Sequence, residues 1–190
     1  GPEEPPPSTA EEVVAAGAAF WPLRVFREID DAILRLRLNE PEMGTITVRT
    51  RGDLPRVLAY DAVLAAHQDH WLVREVVHFV KRTLKRLDLT SRSFFALIEP
   101  GSAFAGTLFE LALAADRSFM LDAEGGPRIA LSSLNFGTYP MANGLPRLAA
   151  RFSGEAPVFE KKKQFDAKAA AAAGLVTAAP DDIDWDDELR

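Results

Sequence analysis

The 190-residue sequence contains no cysteine, only two tyrosines and three histidines, and fewer basic than acidic residues. Without cysteine, this stretch can form no disulfide, thiolate metal site or cysteine nucleophile. The formal net charge of −6 argues against wholesale binding of a nucleic-acid backbone. No apolar run approaches membrane-spanning length, and no signal-peptide pattern opens the sequence. These absences predict a soluble, cytoplasmic protein.

The composition that remains is that of an ordinary globular domain. Hydrophobic residues make up 47% of the chain and charged residues 26%, which is enough to bury one sizeable core. The three consecutive prolines at 5–7 favour an extended, poorly packed segment, so residues 1–20 are interpreted as a linker or tail. We expect one domain over 21–180. Residues 181–190 are expected to be an acidic tail that leads into a truncated helical extension, with Arg190 inside it.

Helical and strand patterns alternate along the domain, which favours an α/β fold with a largely parallel sheet. The apolar periodicity and the Pro and Gly breakers predict helices over 23–38, 54–66, 71–87, 105–115, the region that holds Leu148 and Phe152, and 166–173. Strands are predicted at 45–51, 94–98, 118–121, 129–131 and 175–177.

The stretch from Phe94 to Asp116 is the most informative part of the sequence. It predicts a buried strand, a tight turn at Pro100 and Gly101, and a helix that carries Glu110 about one turn from its start. The unpaired amides of a helix start can stabilise a developing anion, and a nearby carboxylate can transfer protons. Any strand-turn-helix unit of an α/β protein has the same outline, so a purely structural role stays open.

Other polar residues have structural explanations beside functional ones. The histidines lack a metal-ligand pattern and are interpreted as surface or packing residues: His67, His70 and His78. The serines fit turns and caps: Ser102, Ser132 and Ser133. Asp116 is expected to tie a helix end to neighbouring backbone. Arg147 could line a pocket, but anchoring a helix end or forming an ion pair is favoured. The lysines 161–163 fit a solvated face, with a phosphate contact as the alternative.

Three separated runs resemble one superfamily, the crotonase (enoyl-CoA hydratase/isomerase) proteins. These are FFALIEPGSAFAGTLFELALAAD at 94–116, ALSSLNFGTYPMANGLPRL at 130–148 and FDAKAAAAAGLVTAAP at 165–180. They occur in the order and at the spacing of that superfamily. The resemblance implies a crotonase-like (ClpP/crotonase) spiral of short parallel strands and helices over 21–180, incomplete at both ends.

Within the superfamily, the amino-acid sequence is most similar to one branch, the benzoyl-CoA-dihydrodiol lyases (2,3-epoxybenzoyl-CoA dihydrolases) of aerobic benzoate degradation. The runs AHQDHWLVRE, NFGTYPM and GLVTAAPDDIDWDDE carry this likeness. In that branch the polypeptide resembles two crotonase-type halves joined together, and these runs resemble its C-terminal half. The resemblance implies that an upstream half of the same polypeptide holds the main catalytic glutamates, and that this half supports it.

The resemblance also assigns candidate site residues. Glu110 falls on the first of the two superfamily glutamates, whereas Ser133 stands where the second is expected. Gly106 and Thr107 fall on the oxyanion hole, with the Thr107 amide as one donor. A serine without a neighbouring base is a poor replacement for a carboxylate, so the two-glutamate hydratase mechanism is in doubt.

The remaining assignments concern the second donor and the pocket wall. The second oxyanion amide has no matching motif, and residues 59–61 are taken as the candidate for it. Glu99, Asn135 and Tyr139 are candidates for lining a pocket. The substrate implied is a coenzyme A thioester, with no cofactor and no metal.

Three functions remain open at this stage. The domain could be the non-catalytic partner half of a benzoyl-CoA-type lyase, an active acyl-CoA enzyme that uses Glu110 alone, or an oligomerisation module. The implied partners are an acyl-CoA, the upstream half and further copies of the chain, with no nucleic acid and no membrane.

Overall fold

A computed structural model describes residues 1–153, 158–159 and 163–189 of the chain. Lys161, Lys162 and Arg190 lie outside these residues, as do the predictions that concern them. Lys163 is exposed, and its ammonium lies 5.8 Å from the centre of the Phe165 ring.

Helices and short strands alternate in the described residues, as the sequence predicts. The helices are α1 (Ala10–Ala16), α2 (Trp21–Asn39), α3 (Leu54–Ala66), α4 (Trp71–Asp88), α5 (Gly106–Ala114), α6 (Arg147–Arg151), α7 (Ala167–Ala172) and α8 (Trp185–Glu188). The strands are β1 (Thr45–Val48), β2 (Ser93–Ile98), β3 (Arg117–Met120), β4 (Ile129–Ala130) and β5 (Gln164–Phe165). Two 3₁₀ turns, Gly17–Ala19 and Ser133–Phe136, complete the described elements.

The central sheet is parallel and has the order β1-β2-β3. Ile46 of β1 pairs with Phe94, and Ala96 of β2 pairs with Ser118. The prediction of a parallel sheet is therefore confirmed. A second sheet, which the sequence did not predict, joins β4 and β5 in antiparallel orientation.

Helix α5 is the centre of the fold. Every residue from Gly106 to Leu113 is buried, because α5 packs on β2 and β3 and is surrounded by α3, α4 and α6. A helix that is apolar on all sides is stable only inside a core. Glu110 is the one acidic residue on it, and it is buried with the rest.

Helix α4 buries the apolar stripe that its sequence predicts, and it packs against α2 and α1. The buried members of the stripe are Val73, Val76, Val77, Val80, Leu84 and Leu87. Phe26 and Ile33 are among the buried side chains that α2 brings to this core. The i, i+3/4 spacing places these side chains on one face of each helix.

Several predicted caps are confirmed. The Asp166 carboxylate accepts a hydrogen bond from the Ala169 amide at the start of α7. Asp116 accepts from the Phe94 amide at 2.8 Å, which ties the end of α5 to the start of β2. Ser132 caps the 3₁₀ turn that follows it, and Ser102 accepts from the Glu99 amide. His70 caps α4.

The predicted strand at 175–177 is wrong. After α7, Gly174 adopts a positive φ of 69°, and the chain meets β3 in an isolated bridge between Phe119 and Ala178. The predicted strand 45–51 also ends early, at Val48. Beyond it the chain contacts the turn after β2, where Gly52 donates to the Gly101 carbonyl and Thr50 accepts from Ala103.

The start of the chain packs more closely than its prolines predict. Val13 of α1 and Phe20 are buried in the core, and the amino group of Gly1 donates to the Arg51 carbonyl. Pro5 is exposed and Pro6 and Pro7 are half-buried, with no helix or strand over 5–7, so the closer packing belongs to the residues on either side. Whether residues 1–20 connect two domains stays a prediction. No helix among the described residues is long and apolar enough to span a membrane.

Candidate functional site

The first turn of α5 and the segment from Ser132 to Tyr139 enclose a buried polar network. Thr107 and Glu110 of α5 meet Asn135 and Tyr139, and all four side chains are buried. The sequence placed Glu110 and Thr107 in a site and Asn135 and Tyr139 beside it, and the structure brings all four together. Polar groups removed from water in this way need hydrogen-bond partners, which the fold supplies.

The Glu110 carboxylate has a partner for each of its oxygens. Oε1 accepts from Asn135 Nδ2 at 2.7 Å, and Oε2 accepts from Arg147 Nη1 at 3.2 Å. Glu110 is only 1% exposed. Burial raises the pKa of Glu110 from 4.5 to about 7, and Arg147 and Asn135 oppose that rise. This carboxylate is therefore held by two side chains and is shielded from solvent.

Arg147 links Glu110 to a second carboxylate. Its Nε and Nη2 atoms donate to the two oxygens of Asp88 at 2.9 and 2.5 Å. Nη1 also donates to the Tyr139 carbonyl at 3.0 Å. The expectation of an ion pair for Arg147 is confirmed. One guanidinium thus serves two carboxylates, while the negative charge that adds to the rise in the pKa of Glu110 is that of Asp61.

The Thr107 amide, the candidate oxyanion donor, is occupied by a side chain of the protein itself. It donates to Asp61 Oδ2 at 2.8 Å, and the Thr107 hydroxyl donates to Asp61 Oδ1 at 2.6 Å. Burial raises the pKa of Asp61 from 3.8 to about 6, while hydrogen bonds from Ser132 and Thr107 lower it. A carboxylate oxygen thus lies where the resemblance places the oxygen of a thioester.

Gly106 leaves the space that Asp61 fills. A Cβ added at position 106 would lie 1.9 Å from Asp61 Oδ2, and the φ angle there is +45°, which disfavours other residues. The Gly106 carbonyl accepts from Asn135 Nδ2 at 2.9 Å. The glycine is therefore required by the approach of the carboxylate.

Tyr139 completes the network on the side of Thr107. Its hydroxyl lies 3.2 Å from Thr107 Oγ1, and since the Thr107 hydrogen points to Asp61, Tyr139 is the donor. Burial raises the pKa of Tyr139 well above its ordinary value, and the nearby Asp61 raises it further. The phenol is therefore a neutral donor here.

Two candidate residues lie outside the network. Ser133 is exposed at the start of the 3₁₀ turn, while its buried neighbour Ser132 accepts from the Leu134 amide. Glu99 follows β2 and pairs with Arg49 at 3.0 Å in a half-exposed ion pair. Glu99 is therefore engaged at the surface, and the structure does not bring it to Glu110.

The prediction that residues 59–61 supply a second oxyanion amide is wrong. Asp61 lies inside α3, where its amide belongs to the helix, and what it contributes is an acceptor. The sequence did contain a signal, because Asp61 lies on the apolar stripe of α3 with Val57, Tyr60 and Leu64. Asp88 had no comparable signal, since the end of a helix is commonly polar.

The Glu110 carboxylate and the Thr107 amide are both engaged in contacts inside the chain. A cavity of about 210 Å³ is lined by Arg147, Asp88, Leu113, Ala114, Met141, Ala150 and Arg151, a set that does not include Glu110 or Thr107. Among the described residues, no group of three or more His, Asp or Glu side chains is placed to hold a metal ion.

Solved structures of enoyl-CoA hydratases have the same fold. The enzyme from Bacillus anthracis matches 88% of this chain over 63% of its own, with a TM-score of 0.60 and 16% identity. The enzymes from Bacillus halodurans and Geobacillus kaustophilus match with TM-scores of 0.55 and 0.56, at 18% and 19% identity, and cover 87% of this chain. This chain covers 66% and 61% of theirs. The chain is therefore a crotonase-fold protein, as predicted.

A sequence relative makes the likeness more specific. A benzoyl-CoA-dihydrodiol lyase of Aromatoleum evansii is 54% identical over 188 residues, which is 96% of this chain. The predicted resemblance to that branch is confirmed. The chain spans about a third of that relative, 34% of its length. No family model matches the chain.

Proposed function

We propose that the chain is the C-terminal, supporting crotonase-fold unit of a benzoyl-CoA-dihydrodiol lyase. In such a protein, an upstream crotonase-type unit of the same polypeptide would carry the glutamates that act in opening the ring of 2,3-epoxybenzoyl-CoA. This unit would complete the fold and the assembly without transferring protons itself. The high identity to a lyase of about three times this length supports the proposal.

The observation that carries the supporting role is the engagement of both candidate catalytic groups inside the chain. Asn135 and Arg147 hold the Glu110 carboxylate, and Asp61 holds the Thr107 amide. Hydration of an acyl-CoA needs two proton-transferring groups and a free amide for the thioester oxygen. With Ser133 at the second glutamate position, this unit offers one carboxylate that is already bound.

A chimera tests this proposal. The third of the Aromatoleum evansii lyase that matches this chain is replaced by this chain, and turnover of 2,3-epoxybenzoyl-CoA is measured. We expect turnover to persist, and Glu110→Gln in the chimera to change kcat by no more than about twofold. The exposed Glu75→Gln variant on α4 is the control. A folded Glu110→Gln chimera that loses about a hundredfold in kcat would contradict the supporting role.

One observation favours an acyl-CoA isomerase or hydratase that uses Glu110 alone. Burial brings the pKa of Glu110 to about 7, which suits a group that both accepts and donates a proton at neutral pH. The isolated chain is mixed with crotonyl-CoA and benzoyl-CoA epoxide, and thioester absorbance is followed. Turnover that Glu110→Gln abolishes would establish this alternative, whereas a constant absorbance would eliminate it for these substrates.

The large apolar side chains on the surface favour association as a third role. Leu38, Trp71 and Phe136 are exposed. Light scattering of the isolated chain measures its mass, and a stable homo-oligomer without turnover would favour an oligomerisation module. A monomer that associates only with the remaining two thirds of the lyase would favour the supporting unit.

A further inference from the structure

The Asp61 carboxylate is surrounded by hydrogen-bond donors from more than one part of the fold. The Thr107 amide donates to Oδ2 and the Thr107 hydroxyl to Oδ1. Ser132 Oγ accepts from the Leu134 amide and lies with Asp61 Oδ2 beside Gly106, so its own hydrogen is free to face the carboxylate, where it lowers the pKa of Asp61. Amide and hydroxyl donors of this kind form a receptor for a carboxylate.

Neighbouring groups fit tightly around this receptor. Asp61, Thr107 and Ser132 are all buried, and Gly106 contributes no side chain because its Cβ would collide with the carboxylate. The Tyr139 hydroxyl donates to Thr107 Oγ1 and so directs the Thr107 hydrogen to Asp61. The carboxylate is therefore the group around which the other donors are oriented.

We propose that Asp61 is an internal ligand that closes a carboxylate-binding cage formed by Thr107 and Ser132, and that its removal opens the cage to small carboxylates from solution. Asp61→Ala removes the carboxyl carbon and both oxygens, which are the heavy atoms of formate. The ligand class is therefore a small monocarboxylate, with formate as the best fit. In the native chain, the hydrogen bonds from Thr107 to Asp61 exclude an external anion from the Thr107 amide.

Chemical rescue tests the cage. The melting temperature of the Asp61→Ala chain is measured in sodium formate and in sodium chloride at the same ionic strength. We expect formate to raise it in a saturable manner, by about 3 °C or more beyond chloride. Asp61→Asn is the matched control, because its amide fills the cage, and it should respond no more than the native chain.

A further variant separates binding in the cage from general stabilisation by salt. Asp61→Ala combined with Thr107→Val lacks the hydroxyl donor and should respond less to formate than Asp61→Ala alone. Equal responses of Asp61→Ala and Asp61→Asn, or of the single and double variants, would overturn the proposal.

If Asp61→Ala does not fold on its own, refolding from urea provides the readout. Formate should then restore the folded circular-dichroism signal where chloride does not, and absence of folding in both salts would also overturn the proposal. The cage does not depend on the supporting role proposed above. Failed rescue leaves the chimera experiment unaffected, and an active Glu110 would leave the rescue unaffected.

Discussion

A Cβ at position 106 would lie only 1.9 Å from Asp61 Oδ2, so the Asp61 carboxylate leaves no space for a side chain there. The same contact gives Asp61 its hydrogen bonds to Thr107. A carboxylate on the buried side of α3 and a glycine at the start of α5 thus belong to one arrangement. Residue-scale predictions can separate the steric part of this arrangement from its electrostatic part.

Gly106→Ala should destabilise the fold strongly. The left-handed backbone alone costs on the order of 1–2 kcal/mol, and the collision with Asp61 adds to it, so we expect a total of about 3 kcal/mol or more. Gly101→Ala is the control, because Gly101 has a φ of +81° with no atom within 4 Å of the added Cβ. Urea unfolding measures both. Equal losses would mean that the contact with Asp61 adds nothing.

Asp61 should make stability depend on pH. Its pKa rises from 3.8 to about 6 on folding, so the folded state binds the proton more tightly. The contribution is complete below about pH 4 and is lost as the pH rises through about 6, on the order of 3 kcal/mol in all. Asp61→Asn cannot titrate, and it should give a flatter profile of unfolding free energy from pH 4 to 7. An unchanged slope would contradict the assignment.

The residue scale is also where sequence reasoning was weakest. It found Glu110 and Thr107 through the resemblance, and Asn135 and Tyr139 as neighbours. It could not find the partner of Thr107, because Asp61 is 46 residues away and the pairing depends on how α3 packs on α5. An acidic residue on an apolar helical stripe indicates a buried polar contact, but it does not identify the partner.

At the scale of elements, Arg147 connects three helices. It lies at the start of α6, pairs with Asp88 at the end of α4, and reaches Glu110 in the middle of α5. The carboxylates of Asp88 and Glu110 are both removed from water by the fold. The guanidinium therefore compensates buried charge and also fixes how α6 lies against the other two helices.

Arg147→Met should therefore cost about 3–5 kcal/mol, because it leaves two carboxylates without their cation in a buried site. Adding Glu110→Gln should recover part of this loss, since it removes one of the two charges. The control is Arg35→Met, whose ion pair with Asp31 is exposed and should be worth under about 1 kcal/mol. Thermal and urea unfolding measure the three variants. A loss at Arg147 no larger than at Arg35 would contradict the role of the buried cation.

Elements with a strong local pattern were predicted well. The α4 stripe, the β2-turn-α5 unit and the cap at Asp166 follow from periodicity and cap chemistry. The two-residue strand β5 and the isolated bridge at Ala178 have no such pattern, because their pairing depends on chain segments far away in the sequence. The local pattern therefore predicts no strand at 164–165, and at 175–177 it predicts a strand where the structure has only the bridge at Ala178.

At the scale of the whole molecule, α1 and Phe20 attach part of the first twenty residues to the core. Val13 of α1 is fully buried against the core, whereas its neighbour Val14 is 42% exposed. Composition suggested a linker because prolines dominate the first seven residues. The packing of α1 and Phe20 depends on only a few side chains that follow these prolines, and composition alone does not reveal them.

This pair of neighbours offers a direct test. Val13→Ala should lower the unfolding free energy by about 2 kcal/mol through lost burial and the cavity that remains. Val14→Ala should change it by less than about 0.5 kcal/mol, since its side chain is partly in water and alanine favours the helix. Urea denaturation of both variants measures the difference. Similar small effects at both positions would show that α1 contributes little to the body.

The contact between Gly106 and Asp61 restricts the order in which the two positions can change over generations. A side chain cannot appear at 106 while the carboxylate remains, because the two would overlap. A shorter residue must therefore first replace Asp61, and that step leaves the donors of Thr107 and Ser132 unpaired inside the protein. Each single change is unfavourable by itself, so a lineage that has acquired both residues should tend to retain them together.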